Sequence, residues 1–182
     1  MTTEFSPLRL DVNGFAAEAA TLIGADPVND YPRLVAELTD PAAEVQVHWQ
    51  AQGEERAGAS GAAVPWVHLS VDAVVPLVCQ RCLTPVETPL VVDRWFRFVA
   101  DEATAEAEDD ESEEDLLVVA RDFNLKGLVE DELIMEIPVT PVHDTCPVQV
   151  QLSAADADFD SVEGGKPNPF AVLDALRTRK PE

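Results

Sequence analysis

The chain holds 182 residues, with 12 Lys+Arg against 35 Asp+Glu, three Cys and a formal net charge of -23. That length suffices for one self-supporting core, the 46% apolar content is too high for a disordered chain, and no apolar run approaches the length of a membrane span. An odd cysteine count argues against a disulfide framework, and Met1–Ser6 has neither the basic region nor the apolar core of a secretory signal, so a reducing cytoplasm is expected.

In chain order, Pro7–Val12 alternates apolar and polar residues and reads as a short strand. Asn13 is placed to cap a helix to about Ile23, stopped by Gly24, and Asn29 or Asp30 a second helix through Leu38. Ala43–Gln50 carries Val45, Val47 and Trp49 on one face of a strand, and the glycine-rich 53–61 follows as a loop. Val64–Val78 and Val86–Val99 alternate again, with Cys79-Gln80-Arg81-Cys82 at the turn between them. Residues 101–115 hold ten acids and no base and read as a solvated, flexible loop. Leu116–Val119 continues as a strand. Asn124 then caps a helix over Leu125–Ile137, with Leu125, Leu128, Val129 and Leu133 as its apolar stripe and Glu130, Asp131, Glu132 and Glu136 facing elsewhere. The expected fold is α+β: an antiparallel β-meander with short helices at the N-terminus and in the C-terminal half. One domain is expected to about residue 150, followed by an extension over 151–182 with a short helix near 168–179.

The residues that can carry chemistry centre on Cys79-x-x-Cys82 and His143-x-x-Cys146, the latter in a proline-flanked loop. Three thiolates and an imidazole are the count for a closed tetrahedral zinc site, which would be structural because protein fills all four positions. Asp144 is placed to orient His143 from behind. Two other readings stay open: a hairpin packed by its cysteines with Cys146 as a small buried hydrophobe, and a redox pair, although no βαβ unit surrounds the motif. No phosphate-binding glycine loop or serine nucleophile elbow is present, and no small-molecule substrate suggests itself. Glu130-Asp131-Glu132 reads as a solvated helix face, because neighbours on a helix point in different directions. His48 and His68 fall within strands as half-buried or cross-strand polar residues, and Trp49 and Trp66 are expected to pack the sheet. The chain is not expected to be an enzyme.

Four segments resemble the YceD family in the right order. They are Val78-Cys79-Gln80-Arg81-Cys82-Leu83, Leu128–Ile134, Pro138–Asp144, and the tail Lys166–Leu173 that contains Asn168 and Phe170. The resemblance covers about residues 5–180 and is nearest to the proteobacterial branch. Members are described as large ribosomal RNA subunit accumulation proteins. The resemblance therefore implies a part in synthesis, processing or stability of 23S rRNA and in large-subunit biogenesis, with no catalytic residues to carry over. Some other branches place extra cysteines after Pro141 in a zinc-like array; this chain lacks them, so any metal site here rests on His143 and Cys146.

Two mechanisms fit that process. An acidic adaptor would hold a basic large-subunit ribosomal protein or assembly factor, as the charge suggests. A direct binder of the 23S precursor would need Arg81, Arg94, Arg97 and the C-terminal Arg177, Arg179 and Lys180 on one basic face, since phosphate binding needs clustered cations. A ribonuclease using Glu130, Asp131 and a divalent ion is a third, with little geometry behind it. The adaptor is preferred.

Overall fold

Three long alternating runs build the molecule. The computed structural model describes residues 4–58 and 61–149, and all of these but Gln149 fall within the unit Met1–Val148. β2 (Gln46–Ala57), β3 (Ala63–Val78) and β4 (Pro85–Val99) form an antiparallel meander with unbroken register. β1 (Thr21–Pro27) adds on the β2 side and β5 (Asp115–Val118) on the β4 side, in the order β1-β2-β3-β4-β5. The last pair is parallel, so the sheet is mixed.

The period of 2 decides the two faces. Val47, Trp49 and Ala51 of β2, Val67 to Leu77 at odd positions of β3, and Leu90, Val92, Phe96 and Phe98 of β4 point inward and are buried. Over them lie α1 (Val12–Ala17), α2 (Pro32–Val35) and α4 (Leu125–Met135), which contribute Phe15, Leu34, Leu125, Val129 and Leu133. Each such side chain taken out of water supplies about 1.5–3 kcal/mol. The opposite face meets α3 (Glu102–Glu108) at the end of β4, where Arg97 pairs with Glu108.

Several expectations need correction. Pro7–Val12 is no strand: only Leu10 bridges Phe123, after which Asp11 accepts from the Gly14 amide and starts α1. That helix ends at Ala17, because Ala19 turns left-handed (φ 46) and Thr21–Pro27 pairs with β2, where ladder bonds and burial override helix-forming residues. The helix expected from Asn29 or Asp30 divides into a 3₁₀ turn, Val28–Asp30, and α2, which opens on Pro32. β2 runs through the glycine-rich stretch to Ala57; Gly53 lies against the Phe15 backbone, where a Cβ would collide. The acidic run is helical in part rather than a plain loop: Asp101 caps α3, a 3₁₀ turn Asp109–Glu111 follows, and Ala103, Ala105 and Ala107 supply helix propensity. Glu130 and Glu132 face inward on α4 and are buried, because each has an arginine to meet. The expected helix near 168–179 lies outside the described residues.

Candidate functional site

The β3–β4 hairpin delivers the first half of the cysteine cluster. Cys79 donates its amide to the Thr84 carbonyl at 3.0 Å and Leu83 donates to the Cys79 carbonyl at 2.8 Å, closing a tight knuckle. Leu83 takes the left-handed conformation (φ 60), which costs a non-glycine residue about 1–2 kcal/mol. After α4, Pro138 ends the helical run and the chain returns to the hairpin tip, where the Gln80 amide donates to the Pro141 carbonyl at 2.8 Å. That crossing brings His143 and Cys146 to Cys79 and Cys82.

One ligand atom from each of the four residues lies within 4.8 Å of all the others. A tetrahedron of thiolates about 2.3 Å from zinc has edges of roughly 3.8 Å, so closing on an ion needs only a small contraction. The imidazole is prepared for it. His143 Nε2 lies 3.0 Å from the Pro85 carbonyl, which can only accept, so Nε2 carries the proton and Nδ1 is free, 3.4 Å from Cys82 Sγ. Among the described residues the group that orients His143 is thus the Pro85 carbonyl, not Asp144.

The electrostatics suit thiolates. Burial alone would raise the Cys79 thiol, but amides of His143, Cys82 and Arg81 outweigh it and hold Cys79 at about 5. A hydrogen bond from Thr84 lowers Cys82, and hydrogen bonding to Cys79 and Cys82, with their thiolate charge, raises His143 against burial. Burial raises Cys146. The four residues can hold a metal ion.

Among the described residues the candidate cations do not share a surface. Arg81 is exposed on the knuckle, about 30 Å along β4 from Arg94. Arg94 and Arg97, three apart on a strand, point to opposite faces. Arg94 meets Asp115 at 3.3 Å and Glu132 at 3.5 Å, whereas Arg97 is held by Glu108, by Glu114 at 2.7 Å and by Ser112. Glu130 and Asp131 are both engaged by Arg33, whose backbone amide, Nε and Nη2 all donate to the Glu130 carboxylate. Asn168, Phe170, Arg177, Arg179 and Lys180 lie outside the described residues.

Two further clusters escaped the sequence. On the open sheet face, the Arg56 guanidinium lies 4.3 Å from the Trp66 ring and 3.9 Å from Trp95, and His68 stacks on Trp95 while bonding Asp93. On the inner face, Asp26 accepts from Trp49 Nε1 at 2.6 Å, Tyr31 hydroxyl at 2.8 Å and Lys126 at 3.1 Å. Gly24 permits the first contact, since any side chain there would strike the Trp49 indole. Strand register and the packing of α4 bring these partners together, and spacing along the chain carries no signal of it.

The profile of the family described as "Large ribosomal RNA subunit accumulation protein YceD" matches residues 67–177, more than half of the chain, including all four cluster residues. A protein of that same description from Haemophilus influenzae is 32% identical over 108 residues, 58% of this chain and 61% of its own length. The chain thus aligns with less than two thirds of that relative. No solved structure matches. With the knuckle and the returning segment within the matched span, the chain belongs to the YceD family.

Proposed function

We propose that the chain is a non-catalytic factor of large-subunit biogenesis in the cytoplasm, supporting accumulation of 23S rRNA as an acidic adaptor for a basic ribosomal protein or assembly factor. The observation that carries this reading is the disposition of charge. The net charge is -23, α3 and the turn after it bury none of their residues, and Arg94 and Arg97 are taken up by the chain's own acids. An acidic surface of that kind speeds encounter with a basic protein and repels phosphate. The family is named for accumulation of the large ribosomal RNA subunit, which supplies the process.

The Cys79–Cys82–His143–Cys146 cluster holds a structural zinc in this reading, tying the segment after α4 to the hairpin tip. Direct binding of the 23S precursor is the second reading. Half-buried Trp66 and Trp95, side by side on the outer sheet face, favour it, as aromatic platforms for unstacked bases.

Depletion tests the adaptor. Cells lacking the chain are expected to lose 23S relative to 16S rRNA. Wild type is expected to restore the ratio, and a chain with the acids of 102–111 changed to Asn and Gln is not. Full rescue by the neutralised chain would contradict the adaptor.

A further inference from the structure

β4 pairs with β5 only from Phe96 to Val99, so its earlier residues have no strand partner on the side away from β3 among the described residues. Which backbone groups face that edge follows from four observations. Pro85 and Pro89 have no N–H to give to a ladder and so belong to the outward phase. The Pro85 carbonyl accepts from His143, and the Val99 carbonyl accepts from Val119 of the segment running out of β5. The β3–β4 register is continuous, so every odd residue between them shares this phase. Val91 and Asp93 therefore present N–H and C=O groups to the open edge, and Trp95 its N–H, since the Phe96–Asp115 pairing engages the Trp95 carbonyl.

The rim of that edge is acidic and partly apolar. Val91 is 61% exposed and the Asp93 side chain 72% exposed. Where β5 begins, a cleft of about 490 Å³ opens between Trp95 and the acids Asp93, Glu113, Glu114 and Asp115. Two cations line this cleft: Arg94, already paired with Asp115 and Glu132, and Arg56, stacked over Trp66 and Trp95; four acids outnumber them, although Glu114 meets Arg97 and Asp93 meets His68.

We propose that the edge of β4 from Val91 to Trp95 takes up an extended, Lys/Arg-bearing segment of a partner protein as an added strand in line with β5. Backbone bonds would supply affinity and the acids would select charge. A second copy of the chain is disfavoured, because it would set like charges opposite each other on paired strands. The two prolines close the edge nearer the knuckle. Beyond them only charge guards it, and negative charge does not repel a basic strand.

This inference rests on the acidic-adaptor reading and narrows it to one edge. The test is amide hydrogen exchange by NMR on the full chain, alone and with a synthetic peptide of alternating Lys and Val. An alternating Glu and Val peptide is the control. Exchange at Val91, Asp93 and Trp95 is expected to slow at least about tenfold with the Lys peptide only. Val91→Pro removes one outward N–H in a phase that already accommodates proline, and is expected to weaken the peptide about tenfold. Asp93→Lys with Glu113→Lys should weaken it without touching the backbone. Lys-peptide binding with unchanged exchange at all three amides would overturn the edge proposal and leave the adaptor standing. Absence of any binding would contradict both.

Discussion

Three acids that look alike in sequence behave differently because their partners differ. Asp26 has its carboxylate bonded by Trp49, Tyr31 and Lys126; burial opposes ionisation, but these donors together hold it below the usual 3.8. Its contribution is therefore present above that value and is lost as pH falls through the depressed one. Asp26→Asn is expected to cost about 2 kcal/mol at pH 7, with the difference from wild type shrinking below about pH 4, as urea melts at the two pH values would show. Glu132 has the opposite sign. Burial raises it, the nearby acids Asp115, Asp131 and Glu136 add to that, Arg94 offsets them only in part, and Oε2 has no hydrogen-bond partner. A raised carboxyl gives stability below its unfolded value that is lost as pH rises through the folded one. Glu132→Gln is thus expected to be neutral or up to about 1 kcal/mol stabilising at pH 7, with no difference at pH 4. Glu130→Gln, two residues away, loses one side of a forked Arg33 contact and leaves the Arg33 amide poorly satisfied; a loss of about 2 kcal/mol is expected. Equal effects at 130 and 132 would contradict this assignment.

At the scale of elements, the hairpin tip and the acidic segment make separate predictions. Cys79→Ser is expected to remove bound zinc and lower the melting temperature, because Cys79 is fully buried at the knuckle that the returning segment crosses. Unchanged metal content and melting temperature would remove the zinc reading. In α3, Asp101 accepts from the amide and hydroxyl of Thr104, while the helix buries nothing. Asp101→Ala should therefore speed amide exchange within 102–108 and leave the global unfolding midpoint nearly unmoved. These elements were unequally legible. The long strands and α4 with its Asn124 cap could be read because alternation or helical periodicity persists over many residues. Short pieces such as α1, β1 and α2 could not, because their state depends on pairing with distant strands. The acidic run read as a loop from its charge, though its alanines and cap sufficed for a helix. The four cluster residues were legible because ligand chemistry needs fixed residue types at short spacing. Their true support, the Pro85 carbonyl, was invisible because a backbone group leaves no mark in sequence.

For the whole molecule, the sheet segregates its tasks. One face is a core under three helices. The other carries the Arg56–Trp66–Trp95 stack and meets α3 at Arg97. The knuckle closes one end of the β3–β4 hairpin, and the acids gather toward the other. Under the proposed adaptor, stability and partner choice are expected to change independently: substitutions in the cysteine cluster should alter melting with little effect on peptide charge selection, and rim acids the reverse. The acidic adaptor is the central claim, and the most direct test is an affinity pull-down of the tagged chain from growing cells, divided into RNase-treated and untreated halves. The account predicts a basic large-subunit protein or assembly factor retained in both halves. Recovery of 23S precursor, with every protein partner lost after RNase, would contradict it and establish RNA as the direct ligand.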